Sequence, residues 1–354
     1  MRTTRCIDLG GVSIGGGSPV SIQSMTNLPW HDVDGTLAQI DRLAALGCQI
    51  IRVAVPSHDS LSSLAAICSS SKLPVVADIH FDHRLAIGAM ESGAAGIRVN
   101  PGNMRNVDSM RQVARIAANR GCVVRIGVNC GSLDPEIEAS LGRGAEGMVR
   151  SAMKYVSLFE AEGCMFLKVS LKSSDVRSTV EACRMFAARS DIPLHLGVTE
   201  AGPPSRGVVK SAIGIGSLLL DGMGETIRVS LTCEPEEEIR TARRILSACG
   251  MLDDGPEVVS CPTCGRTRVD LVSLATAVEQ EIERLLSLGK RIDLRKVAVM
   301  GCEVNGPGEA RDADVGIAGG KGTGVLFRKG EKVCTLEEGK LLEALLEEIR
   351  RAAH

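Results

Sequence analysis

Aromatic residues are almost missing from this chain of 354 residues, which contains one Trp, one Tyr and five Phe. Apolar residues nevertheless make up 44% of the sequence, so we expect a large core built from aliphatic side chains. An excess of charge of either sign is also missing, because the formal net charge is only −2. Without a surplus of Lys and Arg, the chain has no electrostatic footprint for nucleic acid or for an anionic membrane surface.

Long hydrophobic runs do not occur in the sequence either. A membrane-spanning helix would need about 18 or more predominantly apolar residues in succession. The first eight residues, Met-Arg-Thr-Thr-Arg-Cys-Ile-Asp, do not begin an apolar segment of the kind found in secretory signals. We therefore expect a cytoplasmic protein without a membrane anchor.

Cysteine is abundant, but its distribution does not indicate a disulfide framework. The 13 Cys are odd in number and scattered over a long chain, which is typical of reduced thiols in the cytoplasm. The sequence contains no Cys-x3-Cys-x2-Cys run of the radical-SAM type and no flavin or nicotinamide motif. Six Cys lie in apolar surroundings and are predicted to be small buried hydrophobic residues: Cys48, Cys68, Cys122, Cys164, Cys183 and Cys249.

Three other Cys belong to two turn-rich motifs near the C-terminus. Cys261 and Cys264 form a Cys-x-x-Cys pair in Ser-Cys-Pro-Thr-Cys-Gly-Arg, and Cys302 follows an apolar run that predicts a buried strand. Soft thiolate ligands favour iron–sulfur clusters or zinc. Glu309, beyond an Asn-Gly-Pro-Gly turn, can fold back as a fourth ligand. The alternative is a structural zinc site in which Cys334 is the fourth ligand.

The segment from residue 20 to residue 232 repeats one unit, a short apolar run with a polar end followed by a loop and an amphipathic helix. Eight such units in about 250 residues predict a TIM (β/α)8 barrel, with a doubly wound open sheet as the alternative. The runs are Val20–Thr26, Ile50–Pro56, Pro74–His80, Gly96–Gly102, Val123–Asn129, Phe166–Lys172, Pro193–Thr199 and Thr226–Thr232.

The pattern changes after residue 250, where Asp-Asp-Gly-Pro predicts a linker. We predict an α/β chain with two domains, a substrate-binding TIM barrel over residues 1–252 and a small α+β domain over residues 256–354 that carries the cysteine motifs. In the second domain we expect helices at 271–287 and 336–351 and a hairpin turn at 319–324. In the first, residues 12–14 are expected in a hairpin that plugs the barrel bottom, and 214–216 in a loop or helix start near the ligand.

The predicted barrel strands alternate aliphatic and polar residues, so the aliphatic face must meet the outer helices and the polar face must point into the barrel. TIM-barrel interiors are usually filled with Val, Ile and Leu. Asp78 and Glu200 are the acids that can be recognised on the inward face. The basic residues predicted to face inward are more numerous: Arg52, Arg98, Arg125, Lys168, Lys172, His195 and Arg228.

Such an excess of buried cations requires a counter-charge, because an unpaired charge in a protein core is strongly destabilising. A strongly anionic ligand would supply it, and the planar forks of Arg suit phosphate oxygens. The small residues Ala54, Gly127 and Gly197 are expected to leave space for this ligand. The other explanation is a solvated salt network between the Arg residues and acids on the loops.

The two cysteine motifs, together with the strand motifs Arg-Val-Ala-Val-Pro, Ile-Arg-Val-Asn-Pro-Gly, Arg-Ile-Gly-Val-Asn, Gly-Val-Thr-Glu and Arg-Val-Ser-Leu-Thr, resemble the bacterial two-domain 4-hydroxy-3-methylbut-2-en-1-yl diphosphate synthase family of the non-mevalonate isoprenoid pathway. The resemblance implies reductive ring opening of 2-C-methyl-D-erythritol 2,4-cyclodiphosphate. It implies a 4Fe–4S cluster held by Cys261, Cys264, Cys302 and Glu309. It also implies flavodoxin or ferredoxin as electron donor, and a homodimer in which one chain's cluster domain serves the other's barrel.

The same resemblance implies the residues of the substrate site. Glu200, at the C-terminal end of a strand, and Glu309 are the expected catalytic residues, and Glu200 acts either on a proton or through its charge. A non-redox phosphosugar-binding barrel or lyase with structural zinc stays the alternative function. The expected substrate-binding residues are Arg52, Asp78, His80, Arg98, Asn100, Arg125, Asn129, Lys172, Thr199, Arg228 and Ser230.

Overall fold

The computed structural model of the chain describes residues 2–104, 106–302 and 310–354. It divides into two compact units, Met1–Leu252 and Asp253–His354. Among the helices of the described residues, none has both the length and the apolar character that crossing a membrane would require.

The first unit begins with an antiparallel hairpin and continues as a parallel barrel. A bridge between Val169 and Leu194 joins the two ends of the eight-stranded sheet, which confirms the predicted TIM barrel. The hairpin strands are β1 (Ile7–Leu9) and β2 (Val12–Ile14). The barrel strands are β3 (Ser21–Met25), β4 (Ile50–Ala54), β5 (Val75–Asp78), β6 (Gly96–Val99), β7 (Val123–Asn129), β8 (Leu167–Lys172), β9 (His195–Leu196) and β10 (Thr226–Ile227).

Helices follow the strands, and several begin at an acid or amide whose side chain accepts a hydrogen bond from a backbone N–H of the first turn. Asp32, Asp82, Asn106, Asp134 and Asp175 act in this way. The helices are α1 (Val33–Ala45), α2 (Ser60–Ser70), α3 (His83–Glu91), α4 (Val107–Arg120), α5 (Pro135–Leu141), α6 (Ala145–Ala161), α7 (Val176–Ala187), α8 (Pro204–Leu220) and α9 (Pro235–Ala248).

Two details of the first unit differ from the sequence-based expectation. Gly214 and Gly216 lie inside α8 and are buried, so the prediction of a loop or helix start there was wrong. Glycine in this helix allows close packing, because a Cβ at Gly214 would lie 2.6 Å from Cγ2 of Val198. The short helix α5 was not predicted, since seven residues are too few to show a helical period.

The aliphatic faces of the barrel strands pack against the helices, as the alternation predicted. Ile51, Ile97, Val124 and Ile126 are all fully buried in one continuous core that includes the inner faces of the helices. Burial of aliphatic side chains is the main stabilising term for such an assembly. The outer layer of the barrel therefore holds the strands together without using their inward-facing residues.

The hairpin β1–β2 closes one end of the barrel interior. Its Ile7, Leu9 and Ile14 form a separate apolar cluster with Ile50, Val76 and Val123. Each of the last three residues lies two positions before an inward-facing polar residue of the same strand, namely Arg52, Asp78 and Arg125. The predicted plug is therefore an apolar floor directly beneath the polar interior.

The second unit is a five-stranded sheet covered by two helices. The order is β11 (Glu257–Ser260), β12 (Lys296–Met300), β13 (Val315–Gly319), β14 (Thr323–Arg328) and β15 (Glu331–Glu337). The pairs β11–β12 and β12–β13 are parallel, and the other two pairs are antiparallel. Helix α10 (Leu271–Ser287) packs on β11 and β12, and α11 (Leu341–Arg351) on β13 and β14.

The helix predicted at 271–287 is confirmed, and so is the turn between β13 and β14 within 319–324. The predicted start of the last helix was wrong. Strand β15 continues to Glu337, and a short 3-10 turn at Glu338–Lys340 precedes α11. The pairing of β15 with β14 along its whole length extends the strand beyond the point that its polar sequence suggested.

We expect that Leu9→Ala destabilises the first unit by about 2–5 kcal/mol, because Leu9 is fully buried in the floor cluster and its truncation would leave a cavity. Leu220→Ala is the matched control, since Leu220 is 72% exposed and should change stability by less than about 0.5 kcal/mol. Urea unfolding followed by circular dichroism measures both. Equal effects of the two substitutions would contradict the role of the hairpin as a packed floor.

Candidate functional site

The interior of the barrel carries a band of polar side chains at a common level. Strand register places Asp78 opposite Arg98, Arg98 opposite Arg125, and Arg125 opposite Lys168 on successive strands. Asp78, Arg98, Arg125 and Lys168 are all buried. Since paired residues of adjacent parallel strands point to the same face, this band lines the interior, as the sequence pattern predicted.

Asp78 is the acid to which several basic groups turn. Its Oδ2 lies 3.8 Å from Nε of Arg52 and 3.4 Å from Nε2 of His80, and its Oδ1 accepts a hydrogen bond from a terminal guanidinium nitrogen of Arg98 at 3.4 Å. Burial raises the pKa of the Asp78 carboxyl, but Arg52, His80 and Arg98 outweigh this and hold the pKa well below its usual range. Asp78 is therefore ionised.

A second acid that pairs with a cation of the interior was not recognised from the sequence. Glu238, in the first turns of α9, lies 3.7 Å from a terminal nitrogen of Arg228 and accepts hydrogen bonds from the backbone N–H of Leu231 and the hydroxyl of Ser24. Its segment, Glu-Pro-Glu-Glu-Glu-Ile, looks like a solvated helix start rich in acids. The helical position of Glu238, one turn before the buried Ala242, was the available signal that this acid faces inward.

The other cations of the interior have no acidic partner. Within the part of the chain that the structure describes, Arg125, Lys168 and Lys172 have no carboxylate within 4.0 Å, and Arg125 donates to the hydroxyl of Ser170 at 2.9 Å. Burial, together with neighbouring Arg side chains, lowers the pKa of all three well below the usual values. Six basic side chains thus share two carboxylates, if His195 is counted as neutral.

The interior also contains polar atoms that no described residue satisfies. Both ring nitrogens of His195, both amide atoms of Gln23, Nζ of Lys168 and two guanidinium nitrogens of Arg125 are buried without a hydrogen-bond partner among residues 2–104, 106–302 and 310–354. Buried polar atoms are normally hydrogen-bonded, and an unsatisfied one usually indicates a ligand or water. The sequence gives no signal for Gln23, because its strand carries no charge.

Two glycines inside the barrel make room for the cations themselves. A Cβ at Gly127 would lie 2.8 Å from Nε of Arg98, and one at Gly197 would lie 2.6 Å from Nζ of Lys172. Gly127 and Gly197 are predicted to leave space for a ligand, and in the structure the space next to each is taken by Arg98 or Lys172. Ala54, the third small residue, is exposed at the end of β4.

The remaining candidate residues lie at the C-terminal ends of the strands. Asn129 is opposite Lys172 in the sheet register, and Asn100 is held by hydrogen bonds with Ser132 and the backbone of Gly102. Thr199 and Ser230 are half-buried. His80 is exposed over half of its side chain but reaches Asp78. His83 is the first residue of α3, behind its cap Asp82.

Glu200, the expected catalytic acid, follows Thr199 at the mouth of the barrel. It is exposed, and its backbone has φ of 53°. A left-handed conformation is uncommon for a residue with a side chain and is found repeatedly at functional sites. The conformation turns the chain sharply where strand-end loops carry the chemistry of this fold.

A cavity of about 500 Å³ lies elsewhere, between α8 and α9 on the outside of the barrel. Its walls include Val208, Ala212, Ile213, Leu220 and Ile245. This lining is apolar and contains Arg244 as its basic side chain, so the cavity does not suit a diphosphate. The polar interior is the better candidate for an anionic ligand.

The cysteine motifs come together at one end of the sheet in the second unit. Cys261 follows β11 and Cys302 lies just beyond β12, the adjacent parallel strand, and both are buried. The backbone N–H of Gly301 donates a hydrogen bond to Sγ of Cys261 at 3.2 Å. Cys264 is exposed on the turn between them, which is closed by mutual hydrogen bonds between Cys264 and Thr267.

These donors suit a soft metal or an iron–sulfur cluster. Thiolates accept hydrogen bonds from backbone N–H groups in such sites, and hydrogen bonds from Arg266 lower the pKa of the Cys264 thiol. Glu309 lies outside the described residues. Among the described residues, no three side chains of His, Cys, Asp or Glu are grouped closely enough to hold a metal ion, so Cys261, Cys264 and Cys302 lie at the same end of the sheet without forming a ready-made three-ligand site.

Cys334 is far from the other cysteines. It lies on β15, and the sheet order places β15 at the opposite edge from β11. Four strand spacings separate these edges by about 19 Å. The zinc alternative with Cys334 as a ligand is therefore not supported.

Comparison with known proteins gives matches over nearly the whole chain. The family models described as GcpE TIM-barrel domain and GcpE protein C-terminal domain match residues 4–243 and 257–351. The protein named 4-hydroxy-3-methylbut-2-en-1-yl diphosphate synthase (flavodoxin) of Caldanaerobacter subterraneus subsp. tengcongensis is 50% identical over 99% of this chain and 97% of its own length. The protein of the same name from Clostridium acetobutylicum is 48% identical over 98% of each chain.

Solved structures with little sequence similarity share the fold of the first unit. Dihydropteroate synthase of Yersinia pestis is 12% identical and covers 69% of this chain and 98% of its own, with a TM-score of 0.50. N-acetylneuraminic acid synthetase of Leptospira borgpetersenii is 15% identical and covers 82% and 99%, also with a TM-score of 0.50. At such identities the likeness supports the barrel fold alone.

We expect Lys168→Met to raise the melting temperature of the ligand-free protein at pH 7, because it removes a buried amine that has no acidic partner. Burial and Arg125 lower the pKa of Lys168 in the folded state, so the unfolded chain binds more protons between that pKa and about 10.4. The free energy of unfolding of the wild type should therefore rise by up to about 1.4 kcal/mol per pH unit in this window. The difference in stability between the variant and the wild type should become smaller as the pH rises.

Calorimetric unfolding at several pH values between 7 and 9.5 measures this difference. Lys72→Met is the matched control, because Lys72 is exposed in an ion pair with Asp41, and its difference from the wild type should be small and nearly independent of pH. A Lys168→Met variant that is less stable than the wild type at pH 7 would contradict the unpaired state of this amine.

Proposed function

The chain belongs to the GcpE family, and on that premise we propose that it catalyses the reductive ring opening and dehydration of 2-C-methyl-D-erythritol 2,4-cyclodiphosphate to 4-hydroxy-3-methylbut-2-enyl diphosphate. The reaction consumes two electrons and two protons and releases water. Relatives that are 47–50% identical over 98–99% of the chain have the name of this synthase. One structural observation carries the proposal, namely the excess of buried cations over carboxylates inside the barrel.

The substrate is proposed to bind in the barrel of residues 1–252. A cyclic diphosphate carries two negative charges and offers planar sets of oxygens, which suit guanidinium forks. Thr199, Ser230 and the amides Asn100 and Asn129 would hold the polar atoms of the ring, and Asp78 and His80 would orient the neighbouring Arg52 and Arg98. The groups proposed to bind the phosphates are Arg52, Arg98, Arg125, Lys172 and Arg228.

Binding would also relieve the cost of the buried charges. Arg125 and Lys172 are held in an environment that disfavours their charged forms. A phosphate oxygen within hydrogen-bonding distance reverses this effect, because opposite charges at close range favour ionisation of both groups. Part of the free energy that is unfavourable in the empty barrel thus becomes favourable binding free energy.

The domain of residues 256–354 is proposed to hold a 4Fe–4S cluster through Cys261, Cys264, Cys302 and Glu309. When bound, such a cluster supplies electrons to the substrate one at a time. Family membership makes the chain an iron–sulfur oxidoreductase. The buried sulfurs of Cys261 and Cys302 and the N–H of Gly301 that faces Cys261 support this assignment.

Glu200 is proposed to serve the proton chemistry at the mouth of the barrel. The departing hydroxyl must take up a proton to leave as water, and an exposed carboxyl at a strand end can exchange protons with solvent. Its charge could equally stabilise a neighbouring cation. If Glu200→Gln lowers kcat without changing KM, the proton role is assigned to Glu200.

The electrons are proposed to come from flavodoxin or ferredoxin, in agreement with the word flavodoxin in the names of the relatives. A homodimer, in which the cysteine domain of one chain serves the barrel of its partner, is part of the proposal. The alternative of a non-redox sugar-phosphate protein with structural zinc has no observation in its favour.

Arg125→Ala is expected to weaken binding of the cyclic diphosphate by roughly 10–150-fold, because a charge-assisted hydrogen bond contributes about 1.5–3 kcal/mol. Arg120→Ala is the control, since Arg120 lies on the surface at the end of α4. Isothermal calorimetry with the cyclic diphosphate measures both affinities. An unchanged affinity of Arg125→Ala would remove the barrel site from the proposal.

Glu309→Ala should alter or weaken the cluster while the fold is kept. Anaerobic purification, iron and zinc analysis and Mössbauer spectra of the wild type and the variant test this expectation, with Glu347→Ala on the exposed side of α11 as the control. A brown wild-type protein that contains iron supports the cluster, and a colourless one with stoichiometric zinc contradicts it. Full reductive turnover of Glu309→Ala would show that this carboxylate is not a required ligand.

A further inference from the structure

Three basic residues lie on or near the cysteine turn at the end of the sheet in the second unit. The backbone N–H of Arg268 donates to the carbonyl of Gly301 at 2.9 Å, and Gly301 in turn donates to Sγ of Cys261. The β13–β14 turn that carries Lys321 lies at the same end, because a Cβ at Gly319 would be 3.2 Å from the carbonyl oxygen of Gly301. Arg266 follows Cys264 by two residues on the same turn.

The charges of these residues are available to a partner. Arg266, Arg268 and Lys321 are exposed, and within residues 253–302 and 310–354 none of the three has a carboxylate in ion-pair distance. By contrast, four other Arg of the same unit each contact a Glu: Arg284, Arg328, Arg350 and Arg351.

Of the described acids near this end of the sheet, Asp270 and Glu337 are engaged, and Glu338, whose backbone N–H donates to the carbonyl of Gly322 at 3.3 Å, is exposed. Asp270 caps α10 and accepts hydrogen bonds from the N–H and the hydroxyl of Ser273. Glu337, which pairs with Thr323 in the sheet, forms an ion pair with Lys340 at 2.9 Å. Among residues 253–302 and 310–354, the three exposed cations Arg266, Arg268 and Lys321 therefore outnumber the unpaired acids of this rim, although the whole chain has a net charge of −2.

A carrier that delivers electrons to the cysteine site must approach this end of the sheet closely. Complementary charge at the rim of an interface steers such an encounter and raises its association rate. We propose that Arg266, Arg268 and Lys321 form the docking surface for an acidic one-electron carrier protein of the flavodoxin type. This inference rests on the proposed function and adds the surface through which its electrons arrive.

The test uses the full-length holoenzyme and two sources of electrons. In Arg268→Glu/Lys321→Glu, the KM for reduced flavodoxin should rise at least about tenfold at low ionic strength, while turnover driven by dithionite should stay within about twofold of the wild type. Added salt should raise the KM for flavodoxin in the wild type and lower it, or leave it unchanged, in the variant. Arg268→Lys should behave like the wild type.

The matched control is Arg295→Glu/Lys332→Glu, which makes the same change in net charge. Arg295 precedes β12 and thus lies at the other end of that strand from Cys302, and Lys332 is exposed on the edge strand β15. This variant should keep the KM for flavodoxin of the wild type. An equal rise in both double variants would indicate an effect of net charge and would overturn the docking surface.

Three further outcomes separate this inference from the proposed function. If the Arg268→Glu/Lys321→Glu variant keeps its KM for flavodoxin, the docking surface is wrong and the function stands. If its KM for the cyclic diphosphate rises with dithionite as the reductant, these cations bind substrate and the docking surface is again wrong. If the wild type shows no turnover with dithionite or flavodoxin, the proposed function itself fails.

Discussion

The structure of the barrel depends on one electrostatic constraint, the presence of more buried cations than carboxylates in its interior. Asp78 and Glu238 hold Arg52, Arg98 and Arg228 in place. Every other feature of the barrel accommodates this arrangement. Aliphatic packing lies on the outer face of the strands and in the floor cluster of the hairpin, so the level of the barrel that carries the charges is not needed for hydrophobic stabilisation.

Several features of the protein lower the free-energy cost of the charges buried in the interior. Lys168 and Lys172 can lose their protons, because burial lowers their pKa values. Gly127 and Gly197 leave space for Arg98 and Lys172, so these side chains can lie inside the barrel. An anionic ligand then completes a set of interactions that the protein alone leaves incomplete. A barrel arranged in this way is stabilised by its ligand more than one with a hydrocarbon interior.

Much of this could be predicted from the sequence, because the inward and outward faces of a strand alternate strictly. The positions of Arg52, Arg98 and Arg125 follow from that period alone. Glu238 could not be recognised so easily, since it belongs to a helix whose first turn is acidic on all sides, and tertiary packing decides which acid turns inward. The roles of Gly127 and Gly197 depended on the reach of side chains from neighbouring strands, which no local pattern contains. For the cysteine site, spacing predicted the turn, but only the sheet order separated Cys334 from the others.

The hairpin at the start of the chain has a consequence for the kinetics of the barrel. Because Ile7, Leu9 and Ile14 seal one end with hydrocarbon, the interior is a dead-end chamber with a single doorway. The product must leave through the same opening by which the substrate entered, before the next substrate molecule can bind. Compounds that merely obstruct this doorway, without reaching the guanidinium groups deeper inside, would therefore block both arrival and departure.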